Sequence, residues 1–380
     1  GVLLIALNLR LAIGSVLPVL EAIRTDLDLS HAEVSFLVTV PALCMGLFAL
    51  LAAPLSDRFG RERLILWAVF ITGIATAARV WGMNTLVFFG STILVGIGIA
   101  IGQTLLPSVV SEYFEDRTAT VTGLYTAFVI AGAGLASFTT VELTDIFGDW
   151  PASLAAWGMM AIPALFVWQQ VVRRMSIPAA SDSGAPPLDL PWKSRWAWFL
   201  SLYYGVAAAL FFASLTWLAP RYAELGWTIS QTGLLVTVLI AAQLVGALTI
   251  SAVGDLTTDR RPWFALCWGG LVIGFGAIGL VPDSHPWIWT TLLGFGDGGL
   301  FALVLTLPVD YSSSPEATDN LSSLVLFGGY IVGAIGPPAT GWMRGLTGAY
   351  VLPFTILAGL SLGMIFVGVL LRPNPNLEGG

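Results

Sequence analysis

Twelve stretches of about twenty apolar residues, parted by short polar breaks, restrict this chain to one kind of fold. They fall at approximately 1–20, 34–55, 64–82, 86–108, 118–141, 150–171, 196–219, 230–250, 263–281, 287–308, 319–341 and 350–371. A hydrocarbon core about 30 Å thick is crossed by roughly 20 helical residues, so each stretch is long enough to span a bilayer. Membrane β-barrels are built from short alternating strands, which these runs are not. Pro41, Pro163 and the Gly336-Pro337-Pro338 run lie inside the stretches and predict kinks or helix-end bends rather than extra loops.

Composition agrees. Of 380 residues, 56% are hydrophobic and 10% charged, against roughly 25% charged in an average soluble domain. So few charges would leave large apolar patches facing water, whereas a lipid-facing wall requires them. The net charge of -7 supplies no basic face for nucleic acid. Cys44 and Cys267 lie in apolar stretches without metal-ligand spacing, which predicts buried free thiols. The apolar start has no small-residue cleavage pattern, so no cleaved signal peptide is expected.

Basic residues set the expected orientation. With both termini cytoplasmic, the inner loops hold Arg58, Arg61, Arg63, Arg117, Arg173, Arg174, Lys193, Arg195, Arg260, Arg261 and Arg372. The outer loops then hold Arg24, Arg221 and Arg344, with Arg79 near an outer helix end. The segment 172–195, rich in Ser, Pro, Gly and Asp, reads as a cytoplasmic linker between six-helix bundles at 1–171 and 196–380.

The halves repeat. LVTV at 37–40 recurs at 235–238, an offset of 198, and the same offset carries Asp57 onto Asp255 beside clustered arginines. FGDW at 147–150 corresponds to TGAY at 347–350, each opening the last helix of a half. The expectation is an all-α integral membrane protein of two pseudo-symmetric six-helix bundles. Such duplicated halves can expose one central site alternately to each side.

The stretch APLSDRFGRER at 53–63 resembles the major facilitator signature G-x-x-x-D-R-x-G-R-[RK], with Ala53 in place of its first glycine and Glu62-Arg63 altering its basic end. NLRLAI at 8–13, GFGDGGLFALVLTLP at 294–308 and IGPPATGWMRGLTGAY at 335–350 resemble, more narrowly, the cyanate/2-nitroimidazole permease branch. The resemblance implies the major facilitator fold and secondary active transport by alternating access.

The signature also has a physical account. Asp57 can accept hydrogen bonds from, or cap, a neighbouring helix end, while Arg58, Arg61 and Arg63 can pair with carboxylates such as Glu112. Such a latch would favour the outward-open state and break as the halves rock, with Asp255, Arg260 and Arg261 as a looser counterpart. The plainer alternative is an anchor of positive charge at the inner face.

Charges inside the spans are few. Arg10, near the middle of the first stretch, should face the bundle interior or a water-filled cavity, since exposure to lipid costs about 2.5–3.5 kcal/mol. Its planar fork suits a carboxylate or another delocalised anion; the alternative is a structural arginine bonded to a carbonyl or carboxylate. The corresponding stretch of the second half, Leu210-Phe211-Phe212, carries no basic residue. Asp297, near the middle of the tenth stretch, has three readings: a proton site, a partner for Arg10, or a contact to a polar or cationic substrate. Asn8, Gln103, Gln243, Tyr125, Phe211 and Tyr330 complete the expected substrate-binding set, each weighed against simple bundle packing.

No nucleophile, metal or nucleotide motif rises above background, so no enzyme activity and no cofactor are expected. The expected partners are the lipid bilayer, a small anionic or polar organic solute and protons, with the chain acting as a monomer in the cell membrane. A drug or metabolite exporter with an aromatic-lined cavity is the alternative. A receptor needs no duplicated halves, and a channel needs a continuous polar path.

Overall fold

Helices in this chain run until a residue stops them, so several outlast the apolar stretches that predict them. The computed structural model describes residues 1–113, 118–174, 190–254, 257, 259–312 and 315–371. Much of the expected linker, Asp255, Arg117 and Arg372 lie outside the described residues, as do the side chains of Asp57 and Glu112.

The first half comprises α1 (Val2–Asp26), α2 (His31–Phe59), α3 (Arg61–Trp81), α4 (Thr85–Tyr113), α5 (Thr118–Phe147) and α6 (Trp150–Arg173). The second comprises α7 (Arg195–Glu224), α8 (Ile229–Gly254), α9 (Arg261–Leu280) and α10 (Pro286–Asp310), then α11, made of Pro315–Gly333 and Gly336–Thr347, and α12 (Val351–Gly368). Twelve of the described helices are long and apolar enough to cross a membrane, and the fold is all-α as expected.

One expectation is corrected. The signature at 53–63 reads as a loop, yet α2 continues helically through Asp57 and Arg58 to Phe59, and α3 starts at Arg61. The break is Gly60 alone, at φ 81°, a left-handed conformation that a side chain would strain. Gly148 and Gly348 turn the chain the same way, at φ 79° and 70°, ahead of α6 and α12. These glycines belong to the FGDW and TGAY segments, so the repeat carries its turn geometry with it. The Gly336-Pro337-Pro338 run opens the second segment of α11, where missing proline N–H groups cost no helical bond.

Contacts divide the chain into unit 1, Gly1–Leu29 with Phe36–Leu188, and unit 2, Ser30–Ser35 with Asp189–Gly380. Unit 1 packs α1 on α5, α3 on α4 and α3 on α6; unit 2 packs α7 on α11, α9 on α10 and α9 on α12, the equivalent pairs. Small residues make these approaches close. A Cβ on Gly132 would strike the Leu7 carbonyl of α1, and one on Gly336 the Ala209 carbonyl of α7. In unit 2, α8 and α10 meet most tightly at Gly298, where a Cβ would strike the Gln243 carbonyl. Gly298→Ala should therefore lower unfolding stability by about 1–3 kcal/mol through overpacking. Thermal unfolding in detergent measures this against Gly359→Ala, whose added Cβ meets nothing within 4 Å; equal midpoints would refute the close approach.

The arginines assigned to the outer side lie in helix ends rather than loops, and two are buried. Arg79 donates through Nη1 to the Ala12 carbonyl at 2.6 Å. That carbonyl lacks its helical N–H donor because Val16 N–H bonds Ile13 instead, as α1 tightens ahead of Pro18, and the Ser15 hydroxyl donates to it as well at 3.4 Å. Arg221 donates through Nε and Nη2 to the Ile278 and Gly279 carbonyls at 3.2 and 3.3 Å, capping the end of α9. Cations at helix C-termini are favoured by the helix dipole, which explains basic residues there without a loop. Cys44 and Cys267 are buried free thiols, as expected.

Candidate functional site

In unit 1, Arg10 projects from α1 and donates through Nη2 to Oε1 of Gln103 on α4 at 3.4 Å. Two polar residues 93 positions apart thus meet on neighbouring helices. Arg10 is half-buried, and the bond to a neutral amide is long. Among the described residues of unit 1, no carboxylate pairs with it. Asn8 is buried two positions away, on a different face of α1. Tyr125 is buried on α5 in an apolar cluster with Leu105, Leu106 and Val109, surroundings that suit packing.

Unit 2 has a polar centre of another kind. Asp297, 2% exposed, sits on α10 where α7 and α8 converge. Ser214 of α7 donates its hydroxyl to Asp297 Oδ2 at 2.7 Å. Gln243 of α8, also buried, reaches toward the same carboxyl.

One helical turn from the polar pair lies an aromatic pair. Phe211, three residues before Ser214, stacks on Phe301, four residues after Asp297, with ring centroids 6.0 Å apart. Phe212 and Tyr330 are tilted at 6.4 Å, and Tyr330 meets Tyr204 edge-on at 5.7 Å. Phe211, Gln243 and Tyr330 are therefore grouped on α7, α8 and α11 around one region of unit 2. Ser214 and Phe301 were not expected; their helical spacing from Phe211 and Asp297 was the available signal.

The residues expected to form latches divide. Arg58 is exposed and lies over the Phe59 ring at 5.4 Å, and Arg63 is exposed. Arg61 approaches Glu62 at 3.5 Å. Glu62, which the signature marks only as a departure, is buried; Tyr113 of α4 donates to its carboxylate at 3.2 Å and Trp168 of α6 to its backbone carbonyl at 2.9 Å. In unit 2, Arg260 pairs with Asp310 at the end of α10, Nε to Oδ2 at 3.3 Å, and also donates to Thr306. Asp310 stands 198 residues after Glu112, so the repeat points to it as the second-half acid. Arg261 pairs with its neighbour Asp259 at 3.2 Å. A double-mutant cycle of Arg260→Ala and Asp310→Ala should give about 1 kcal/mol of coupling in thermal unfolding, modest because both groups keep some solvent. Strict additivity would remove the pair from any latch.

Comparison with known proteins places these features in context. The model of the Major Facilitator Superfamily matches residues 2–223 and 204–379. The chain is 31% identical over 370 residues to a 2-nitroimidazole transporter of Escherichia coli (strain K12), covering 97% of this chain and 93% of the relative. It is 28% identical over 370 residues to the cyanate transport protein CynX of the same organism, at 97% and 96% coverage. An uncharacterized transporter, YycB of Bacillus subtilis (strain 168), is 30% identical over 360 residues, at 94% and 89%. Among solved structures, the nucleoside transporter NupG superposes with TM-score 0.71 at 12% identity, over 97% of this chain and 98% of that one. A bacterial homologue of the lysosomal transporter Spinster, inward-facing and occupied, gives 0.75 at 16% identity, over 98% and 96%.

Proposed function

This chain belongs to the Major Facilitator Superfamily, multi-pass membrane carriers that work by alternating access, and we propose that its own cargo is a small anionic or polar organic solute moved together with protons. The observation that carries the proposal is Arg10: a guanidinium inside a membrane-spanning helix, tethered to Gln103 by a long bond to a neutral group. A fork so placed can exchange a weak amide contact for a charge-assisted pair with a delocalised anion. Asn8, Gln103 and Tyr125 of unit 1, and Phe211, Gln243 and Tyr330 of unit 2, are proposed as further solute-binding residues. Asp297 is the proposed proton site, since its carboxyl is buried in a span beside the polar side chains of Ser214 and Gln243. The cyanate and 2-nitroimidazole carriers among the relatives are named for small, strongly polar solutes, which supports the same size and class.

Asp57, Arg58, Arg61, Arg63 and Glu112 in the first half, with Asp255, Arg260 and Arg261 in the second, are proposed to latch one conformation at the cytoplasmic side, where both termini would lie. The Arg260–Asp310 pair supports the second-half arm. The protein is proposed to work as a monomer.

One observation favours a second reading. The rings of Phe211, Phe301, Phe212 and Tyr330 would suit an aromatic drug or metabolite carried outward in exchange for protons. A thermal-shift panel on the purified protein separates the two. Small carboxylates, cyanate and nitrate should stabilise the fold if the first holds, by about 2.7 kcal/mol at a hundredfold excess over Kd. Stabilisation by aromatic cations with none by any anion would replace it with the second.

A further inference from the structure

Ser214 is wholly buried, and its hydroxyl has two acceptors within reach: Asp297 Oδ2 at 2.7 Å and the backbone carbonyl of Phe211, in its own helix, at 2.8 Å. A serine hydroxyl carries one proton, so it satisfies one acceptor fully at a time. We propose that Ser214 is a positioning residue that transmits the protonation state of Asp297 to helix α7. The proposal rests on Asp297 being the proton site.

The two arrangements follow from the count of hydrogens. With Asp297 ionised, Ser214 O–H donates to Oδ2, a charge-assisted bond stronger than one to a neutral carbonyl. On acidification a hydronium ion gives its proton to Oδ2 and is left as water, and the carboxyl becomes the donor and Ser214 Oγ the acceptor. The serine proton then turns to the Phe211 carbonyl; no covalent bond of serine breaks. Back-bonding of a serine hydroxyl to a carbonyl of the preceding turn weakens the helical bond there and bends the helix. Phe211 carries the ring stacked on Phe301, so the bend falls where α7 and α10 hold their aromatic contact.

The surroundings favour a response confined to this pair. Helix α8 has no ionisable residue in Ile229–Gly254. Helix α9 brings Cys267, which lies against Gly296 and Gly299, and Arg261 at its start. Helix α7 carries Tyr203 and Tyr204 about three turns before Ser214 and Arg221 and Tyr222 about two turns after it, with Arg195 and Glu224 at its ends. Helix α11 brings Tyr330, with Glu316 and Asp319 at its start and Arg344 near its end, and α10 itself ends in Asp310. No other carboxylate or cation stands at the middle of these helices among the described residues.

Infrared difference spectroscopy of the purified full chain between acid and alkaline pH reads the pair directly and needs no solute. A protonated carboxyl gives a C=O stretch whose frequency reports its hydrogen bonds. Asp297→Asn should abolish that band; its persistence would refute Asp297 as the proton site. Ser214→Ala should keep the band but shift its frequency and displace its pH midpoint by about one unit, the difference between a charge-assisted and a neutral hydrogen bond. Ser214→Thr, which keeps the hydroxyl, should restore both. A band lost in Asp297→Asn yet unchanged in Ser214→Ala would overturn the relay while leaving the proton site standing. If Ser214→Ala does not fold, Ser214→Cys, with a weaker donor of similar size, carries the same comparison.

Discussion

Asp297→Asn should yield a carrier that still equilibrates its solute across a membrane and no longer concentrates it in response to a pH gradient. Asparagine has the shape of aspartate but exchanges no proton near neutral pH. It can accept from Ser214 as the carboxyl does, so the junction of α7, α8 and α10 keeps its hydrogen bond and the fold should survive. A pH difference of one unit supplies about 1.4 kcal/mol per proton, enough for roughly tenfold accumulation with one proton per solute. In proteoliposomes the variant's accumulation ratio should fall to about one while exchange of labelled for unlabelled solute continues. Accumulation at the wild-type ratio would exclude Asp297 from coupling. Loss of exchange as well would assign it to solute binding, the competing role for a buried carboxyl in a span.

Arg10→Gln should weaken binding of an anionic solute by about ten- to a hundredfold, the value of a charge-assisted hydrogen bond of roughly 1.5–3 kcal/mol. Glutamine keeps hydrogen-bonding capacity toward Gln103 and removes a charge whose placement in the span is costly, so the protein should not lose stability. Arg10→Lys keeps the charge but not the planar fork and should recover only part of the affinity. Titration of purified protein with the anion that scores best in thermal shift measures all three. Equal affinity in wild type and Arg10→Gln would leave Arg10 a structural residue of α1.

The site was partly legible. Arg10 and Asp297 stand out in sequence because a charge inside an apolar stretch is expensive, and they are held by Gln103 and Ser214 on helices distant in the chain. Ser214 did not stand out. A serine in a membrane helix is commonplace, and only the packing of α7 against α10 gives this one a carboxyl partner. Glu62 was discounted as a departure from a motif, whereas burial against Tyr113 and Trp168 makes it part of the α3 junction. Asp310 is visible in the sequence by its repeat offset from Glu112.

Hydrophobic length, glycine and repetition fixed the rest at the level of sequence. Twenty apolar residues must become a helix in lipid because every backbone N–H and C=O has to be bonded internally, and that requirement needs no knowledge of neighbours. Helix number, class and the duplicated turns at Gly148 and Gly348 follow from it. Which polar atoms meet does not. Hydrogen bonds act over about 3 Å, and the pairs that matter join residues 50 to 93 positions apart. Their meeting depends on glycine-level approach of helix backbones, as at Gly298 against Gln243. The twelve spans were written in the chain; the partners of Arg10, Asp297 and Arg260 were decided only by how those spans packed.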